Sequence, residues 1–346
     1  MIRPKWRAAR QGWILFAILG LVSACLFPAQ VFKYRKMEPE NGYLIGTVPF
    51  EKWLKRNYCG PACLAMVLNY WNETRPFKQQ EITAEIFDSA NQATYNSEMV
   101  LYPRRKGFAS YSLQGNLGVL KDVVGKGIPV IVLTKTIKQI AKGHYRVVIG
   151  FDDDQKQIIF HDPFLGGRRA MTFKTFMKVW ELGKGRNQSR WMMAVFPDES
   201  QFPFPNLLDD PLTAINLATA YYRRSDFMSS RQQWEKARES LSEDPCPLYS
   251  LAMVSLREGK AEEAESYALQ ALSLDAKSAY AHDVLGLAYA NQGRISEALE
   301  SLDQAQRLAP EEKFIRMHYL QVRALRSARA RLEDIKKKEN QNEKAS

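Results

Sequence analysis

The sequence predicts an α+β domain followed by an all-α superhelix of stacked helix pairs. Three observations carry this expectation. The stretch YCGPACLAMVLNYW at 58–71 has the apolar spacing of an amphipathic helix with one buried face that begins at a cysteine. Downstream of it lie short runs rich in β-branched residues, at 128–133, 145–151, 157–161 and 191–196, each bounded by turn residues. From residue 212 onward the strand pattern stops and a period of thirty-four residues begins.

In chain order, residues 1–30 read as an export signal. Arg3, Lys5, Arg7 and Arg10 precede an apolar stretch from Trp13 to Ala24 that contains only Ser23 as a polar side chain. The stretch ends in Val22-Ser23-Ala24-Cys25, which resembles the lipobox of bacterial lipoproteins and makes Cys25 the expected lipidation site. The alternative is an uncleaved anchor, because the apolar run continues through Leu26, Phe27, Pro28 and Ala29. Either form tethers the body to a membrane, and the expected location is the bacterial cell envelope. A linker at 31–43 leads into the first domain, expected at 44–200.

The helix at 58–71 puts Cys59 at its N-terminus, with Pro61 in the first turn where a missing N–H loses no partner. Unpaired N–H groups and the positive end of the helix dipole favour an anion there, so the thiol ionises more readily than a free one. A cysteine nucleophile needs a base and a group that orients the base. Of four histidines, His282 and His318 fall in the helical C-terminal half. His144 opens the strand HYRVVIGFD, and the next strand, QIIFHDP, ends at Asp162. Two paired strands place this histidine and carboxylate on one sheet, facing the helix of Cys59. His161 is expected on the opposite face, since side chains alternate along a strand. Cys63, one helical turn after Cys59, reads as a core thiol.

Between these motifs the reading gives helical pieces at 81–90, a loop at 102–107, a helix at 113–126, a hairpin turn at Asp152-Asp153-Asp154 and a helix at 173–180. CGPACLAMVLNYW, GHYRVVIGFD and HDPFLGG, in that order, resemble peptidase family 39 of the papain-like cysteine peptidases, whose known members cut leader peptides after a double glycine. The resemblance covers roughly residues 44–197. It implies a papain-like fold, Cys59 as nucleophile, His144 as general base and acid, and Asp162 as the orienting carboxylate. The sequence departs from the family at one place: Trp53 stands where a glutamine six residues before the cysteine helps to hold the oxyanion. Lys52 and Lys55 are the alternative donors in that stretch.

Gln201–Pro211 forms a second linker. In 212–312, Leu217, Leu251 and Leu285 recur at the thirty-four-residue period, as do Gly259 and Gly293, Ala264 and Ala298, and Ala271 and Ala305. This resembles three tetratricopeptide repeats, the first with Ser225 at the glycine position. Residues 313–346 add a capping helix, expected at 314–338, and a frayed basic tail. The formal charge of +11 sits at the ends: 1–36 carries +7 and 311–346 carries +4, leaving the body neutral. That distribution argues against a nucleic-acid groove. No cofactor is expected, and no metal-ligand cluster is evident in the sequence.

The expectation is therefore a membrane-tethered cysteine peptidase that acts on a peptide or protein substrate, with repeats that bind a protein partner. Two alternatives stay open. One is a catalytically weak or inactive papain-like peptide-binding module; the other is an amidase or transpeptidase acting on cell-wall peptides.

Overall fold

The computed structural model describes residues 31–72, 74, 76–135, 143–183 and 189–345. The expected export segment and Cys25 lie outside the described residues. By internal contacts the chain forms two compact units, one of residues up to Thr83 with Gly115–Met192, the other of Ala84–Gln114 with Met193–Ser346. The change of domain read from the sequence was at 201–211; by contact, 84–114 and 193–200 group with the repeat helices.

In the first unit a sheet runs in the order β1 (Phe32–Lys33), β9 (Gly166–Thr172), β8 (Gln157–Asp162), β7 (His144–Asp152), β6 (Val130–Thr134), with β2 (Gly42–Leu44) also paired to β7. β6, β7, β8 and β9 are successive antiparallel neighbours. β6 and β7 are almost wholly buried, which explains why they read as continuous apolar runs. The turn between β7 and β8 carries the three aspartates, and each has a donor. Tyr34 Oη reaches Asp152 at 2.9 Å, Lys121 Nζ reaches Asp153 at 2.6 Å, and Asn41 Nδ2 reaches Asp154 at 2.8 Å.

Helix α1 (Cys59–Trp71) packs on β7. Its first ten residues, Cys59 to Leu68, are all buried, so it is a central helix and not the one-sided amphipathic helix that the sequence suggested. It ends where Asn69 turns its side chain to the main chain of Phe77, accepting from N at 2.6 Å and donating to O at 3.1 Å. α2 (Gln79–Ile86) follows. The expected helix at 113–126 is shorter, with Asn116 accepting from Val119 N at 3.0 Å as the N-cap of α4 (Leu117–Gly125). α5 (Phe173–Trp180) lies where the sequence placed it.

The second unit opens with a hairpin, β3 (Phe87–Asp88) and β4 (Ala93–Thr94), in place of the last turn of the helix expected to reach residue 90. Asp88 Oδ1 accepts from the N–H groups of Ala90 and Asn91, each at 3.0 Å, which turns the chain out of the helix. α3 (Asn96–Arg105) then replaces the expected loop at 102–107, despite Pro103 in its last turn, because Ser97 to Pro103 are buried. β5 (Ala109–Gln114) pairs with β10 (Trp191–Phe196). β5 is tied to α6 (Pro211–Arg223): Ser112 N donates to Thr213 Oγ1 at 2.9 Å, and Thr213 Oγ1 donates to Ser112 O at 2.9 Å.

Helix pairs complete the unit: α6 with α7 (Phe227–Ser240), α8 (Cys246–Arg257) with α9 (Ala261–Leu274), and α10 (Ala279–Asn291) with α11 (Ile295–Leu308). Small residues at the helix crossings set their spacing. Ala264, Ala271, Ala298 and Ala305 are fully buried, and a Cβ on Gly286 would come within 2.6 Å of Leu302. Each first helix ends in the same left-handed corner, with φ of 61° at Ser225 and 78° at Gly259 and Gly293. Asp226 N to Tyr221 O, Lys260 N to Ser255 O and Arg294 N to Tyr289 O close the three corners alike. Ser225 holds a conformation that costs a non-glycine residue roughly 1 kcal/mol. α12 (Lys313–Ala345) caps the array through Ile315 and Val322 and stays helical well past residue 338, where the sequence suggested fraying.

Candidate active site

Three elements of the first unit converge. α1 supplies Cys59, β7 supplies His144 and β8 supplies Asp162, and all three side chains are buried. Continuing the β7/β8 register from Val147↔His161 sets Arg146 opposite Asp162, with His144 two residues further on the same face. Pro163 cannot continue the ladder, so β8 stops at Asp162. The carboxylate then caps its own turn, with Oδ1 accepting from Phe164 N at 2.8 Å and Leu165 N at 3.0 Å.

His144 Nε2 lies 2.9 Å from Asp162 Oδ1, which leaves Nδ1 for Cys59. Arg146 Nε donates to Asp162 Oδ2 at 2.8 Å. Arg146 Nη1 also donates to Thr134 Oγ1, and Thr134 Oγ1 donates to the main-chain O of His144 at 3.1 Å. The side chains of Thr134, Arg146 and Asp162 and the residue His144 therefore form a closed ring of hydrogen bonds inside the unit. Trp53 covers this ring from outside, its indole edge-on to the imidazole at 5.7 Å and against Phe164 at 5.0 Å.

The electrostatics separate two cysteines one helical turn apart. Burial pushes the Cys59 thiol up, but His144, by charge and by hydrogen bond, together with the Tyr145 main chain, outweighs it and leaves the thiol below its ordinary value. Burial pushes Cys63 up as well, and the charges of Cys59 and Asp162 push the same way, so Cys63 stays a thiol. Burial opposes a proton on His144, yet Asp162 and Cys59 raise it from 6.5 to about 9. Burial likewise opposes charge on Asp162, and His144 and Arg146 hold it well below the usual carboxylate range. A thiol that ionises easily beside an imidazole that keeps its proton makes a nucleophile and an acid in one pair.

The structure brings together Cys59, His144 and Asp162, the three residues singled out in the sequence. Cys25 lies outside the described residues. Lys52 and Lys55 are exposed, and the main-chain O of Lys52 is held by Gln79 Nε2 at 3.0 Å. His161 points elsewhere, between Val48 O and Arg168 N. Sequence reasoning missed Arg146 and Thr134. The signal for Arg146 was present, as a charge two residues from His144 inside an otherwise apolar strand.

Three stretches of the chain match known family models. Residues 45–187 match the model of the Peptidase_C39 like family, and 247–278 and 279–312 each match a tetratricopeptide repeat model. No curated protein matches the chain. Among solved structures, the peptidase domain of Streptococcus ComA, a bi-functional ABC transporter involved in quorum sensing, is 21% identical. That match covers 44% of this chain and 99% of that one with a TM-score of 0.35. The Sgt2 tetratricopeptide domain from Aspergillus fumigatus is 17% identical, covering 35% of this chain and 82% of that one with a TM-score of 0.33. The first such domain of Spaghetti (RPAP3), bound to an HSP90 peptide, is 16% identical over 34% of this chain and 95% of that one, with a TM-score of 0.32. Residues 45–187 are thus a Peptidase_C39-like domain, and tetratricopeptide repeats follow it at 247–312.

Proposed function

We propose that the chain is a membrane-tethered cysteine peptidase. The Cys59 thiolate attacks a peptide carbonyl, and His144 first holds the thiol proton and then gives it to the leaving amine. Water, activated by His144, hydrolyses the thioester. Asp162 keeps the imidazole in the productive orientation. The observation that carries this reading is the convergence of Cys59, His144 and Asp162 in one buried site, with His144 Nε2 2.9 Å from Asp162 Oδ1 and the imidazole lowering the thiol. The repeats bind a protein partner or present the substrate, and residues 1–30, with lipidation at Cys25 or as an uncleaved anchor, hold the chain at the bacterial cell envelope.

Trp53 supports a second reading. An indole packed on His144, at the position where the resemblance calls for a glutamine, supplies no side-chain amide to the oxyanion, and loss of one such donor typically costs ~10²–10³ in kcat. A peptide-binding module with slow or absent turnover has the same cleft. The test is a degenerate peptide library incubated with the full chain and with Cys59→Ser, its products mapped by mass spectrometry. Cleavage lost in Cys59→Ser is expected. Peptides bound equally by both proteins and cut by neither would replace the peptidase with the binding module.

A further inference from the structure

We propose that Arg146 is a positioning residue for the Cys59–His144 pair: its guanidinium holds Asp162 on the side away from His144, and through Thr134 it is tied to the main chain of His144 itself. The inference rests on the peptidase reading above. It adds a residue to which neither the motifs nor the family resemblance gives a role.

The geometry is specific. Arg146 is 2% exposed, and its Nε lies 2.8 Å from Asp162 Oδ2 while His144 Nε2 lies 2.9 Å from Oδ1. One carboxylate is thereby shared between two cations. The planar guanidinium fixes the plane of the carboxylate and so the direction in which Oδ1 faces the imidazole, which an ammonium does less well. Phe160 packs beneath the guanidinium at 5.6 Å. The hydrogen-bond partners of its side chain among the described residues are Asp162, Thr134 and the Lys135 carbonyl, and it is buried, so it acts through Asp162 and not on substrate.

The shared carboxylate has a consequence for proton affinity. The titratable and charged groups gathered around His144 are Cys59 and Cys63 from α1, Tyr145 and Arg146 from β7, and Asp162 from β8. Among them Arg146 alone is a fixed cation. It draws on the charge of Asp162 and repels the imidazolium, so it restrains how tightly His144 holds its proton. Without it Asp162 acts on His144 alone, and the imidazolium persists to higher pH.

The rate of Cys59 carboxymethylation by iodoacetate reads this directly, followed against pH on the full chain by mass spectrometry of the Cys59 peptide. Iodoacetate is an anion drawn to the imidazolium, so its rate rises as the thiolate forms and falls as His144 loses its proton. Arg146→Met should move the falling limb up by about one pH unit and lower the maximum. Arg146→Lys keeps the charge and should leave the limb in place with a reduced maximum. Should Arg146→Met not fold, Arg146→Gln removes the charge while keeping an N–H for Asp162, and reads the same limb. A limb unmoved or lowered in the uncharged variants, or moved equally by Arg146→Lys, overturns the proposal. A wild-type rate that follows an ordinary thiol, with no falling limb, overturns the peptidase reading instead.

Discussion

Asp162→Ala is expected to remove about 3–5 kcal/mol from the stability of the first unit, a large share of the ~5–15 kcal/mol that holds a typical domain together. The side chain receives four hydrogen bonds, from His144, Arg146, Phe164 N and Leu165 N, and is fully buried. Alanine strands the Arg146 guanidinium, which is 2% exposed, leaving Thr134 and the Lys135 carbonyl as its hydrogen-bond partners among the described residues. The cost is that of an uncompensated buried charge and not of one lost hydrogen bond. The double variant Asp162→Ala/Arg146→Met, which removes both charges, should regain much of the loss. The Asp162 carboxyl is held below its usual range, so its contribution is present above about pH 4 and is lost only as pH falls further. Urea unfolding at pH 7, followed by near-ultraviolet circular dichroism, provides the comparison. A single variant as stable as wild type would contradict the account of the ring.

Cys59→Ser is expected to change how stability depends on pH, by removing a contribution that rises with pH. In the wild type, His144 is raised from 6.5 to about 9 while Cys59 is lowered from its ordinary value of 9. The lowered Cys59 contributes stability that is complete above pH 9 and is lost as pH falls through its folded value. The raised His144 contributes with the opposite slope, so in the wild type the two contributions partly offset each other. Serine does not titrate in this range. What remains is His144, still raised by Asp162, whose contribution is complete below pH 6.5 and declines as pH rises through its folded value. Thermal midpoints of wild type and Cys59→Ser from pH 5 to 9 separate the two patterns. Parallel curves would mean that Cys59 carries no charge in the folded state.

The residues that announce chemistry were legible because each stands where its type has a physical reason. Cys59 precedes a Gly-Pro at a helix start, His144 opens a strand, and Asp162 ends one before a proline. The repeats were legible from Leu251 and Leu285, Gly259 and Gly293, and the buried alanines, because stacking imposes its own period. β9 was missed because GGRRAMT shows neither alternation nor β-branched enrichment; it forms because β8 offers it an edge. α3 was missed because Pro103 and two arginines disguise a segment whose burial is decided by its neighbours. Arg146 was passed over within a run read only for its apolar residues, and Thr134 gave no sign that its hydroxyl closes a ring.

The central claim is that Cys59 is a thiolate held by His144. The measurement that tests it most directly is the rate of Cys59 alkylation by iodoacetamide against pH, site-resolved by mass spectrometry, in the full chain and in His144→Ala. The account predicts rapid alkylation well below the ordinary thiol range in the wild type, confined to Cys59 and absent at the buried Cys63. It also predicts loss of that acid-side reactivity in His144→Ala. Slow alkylation with an ordinary thiol profile, unchanged by His144→Ala, would contradict it.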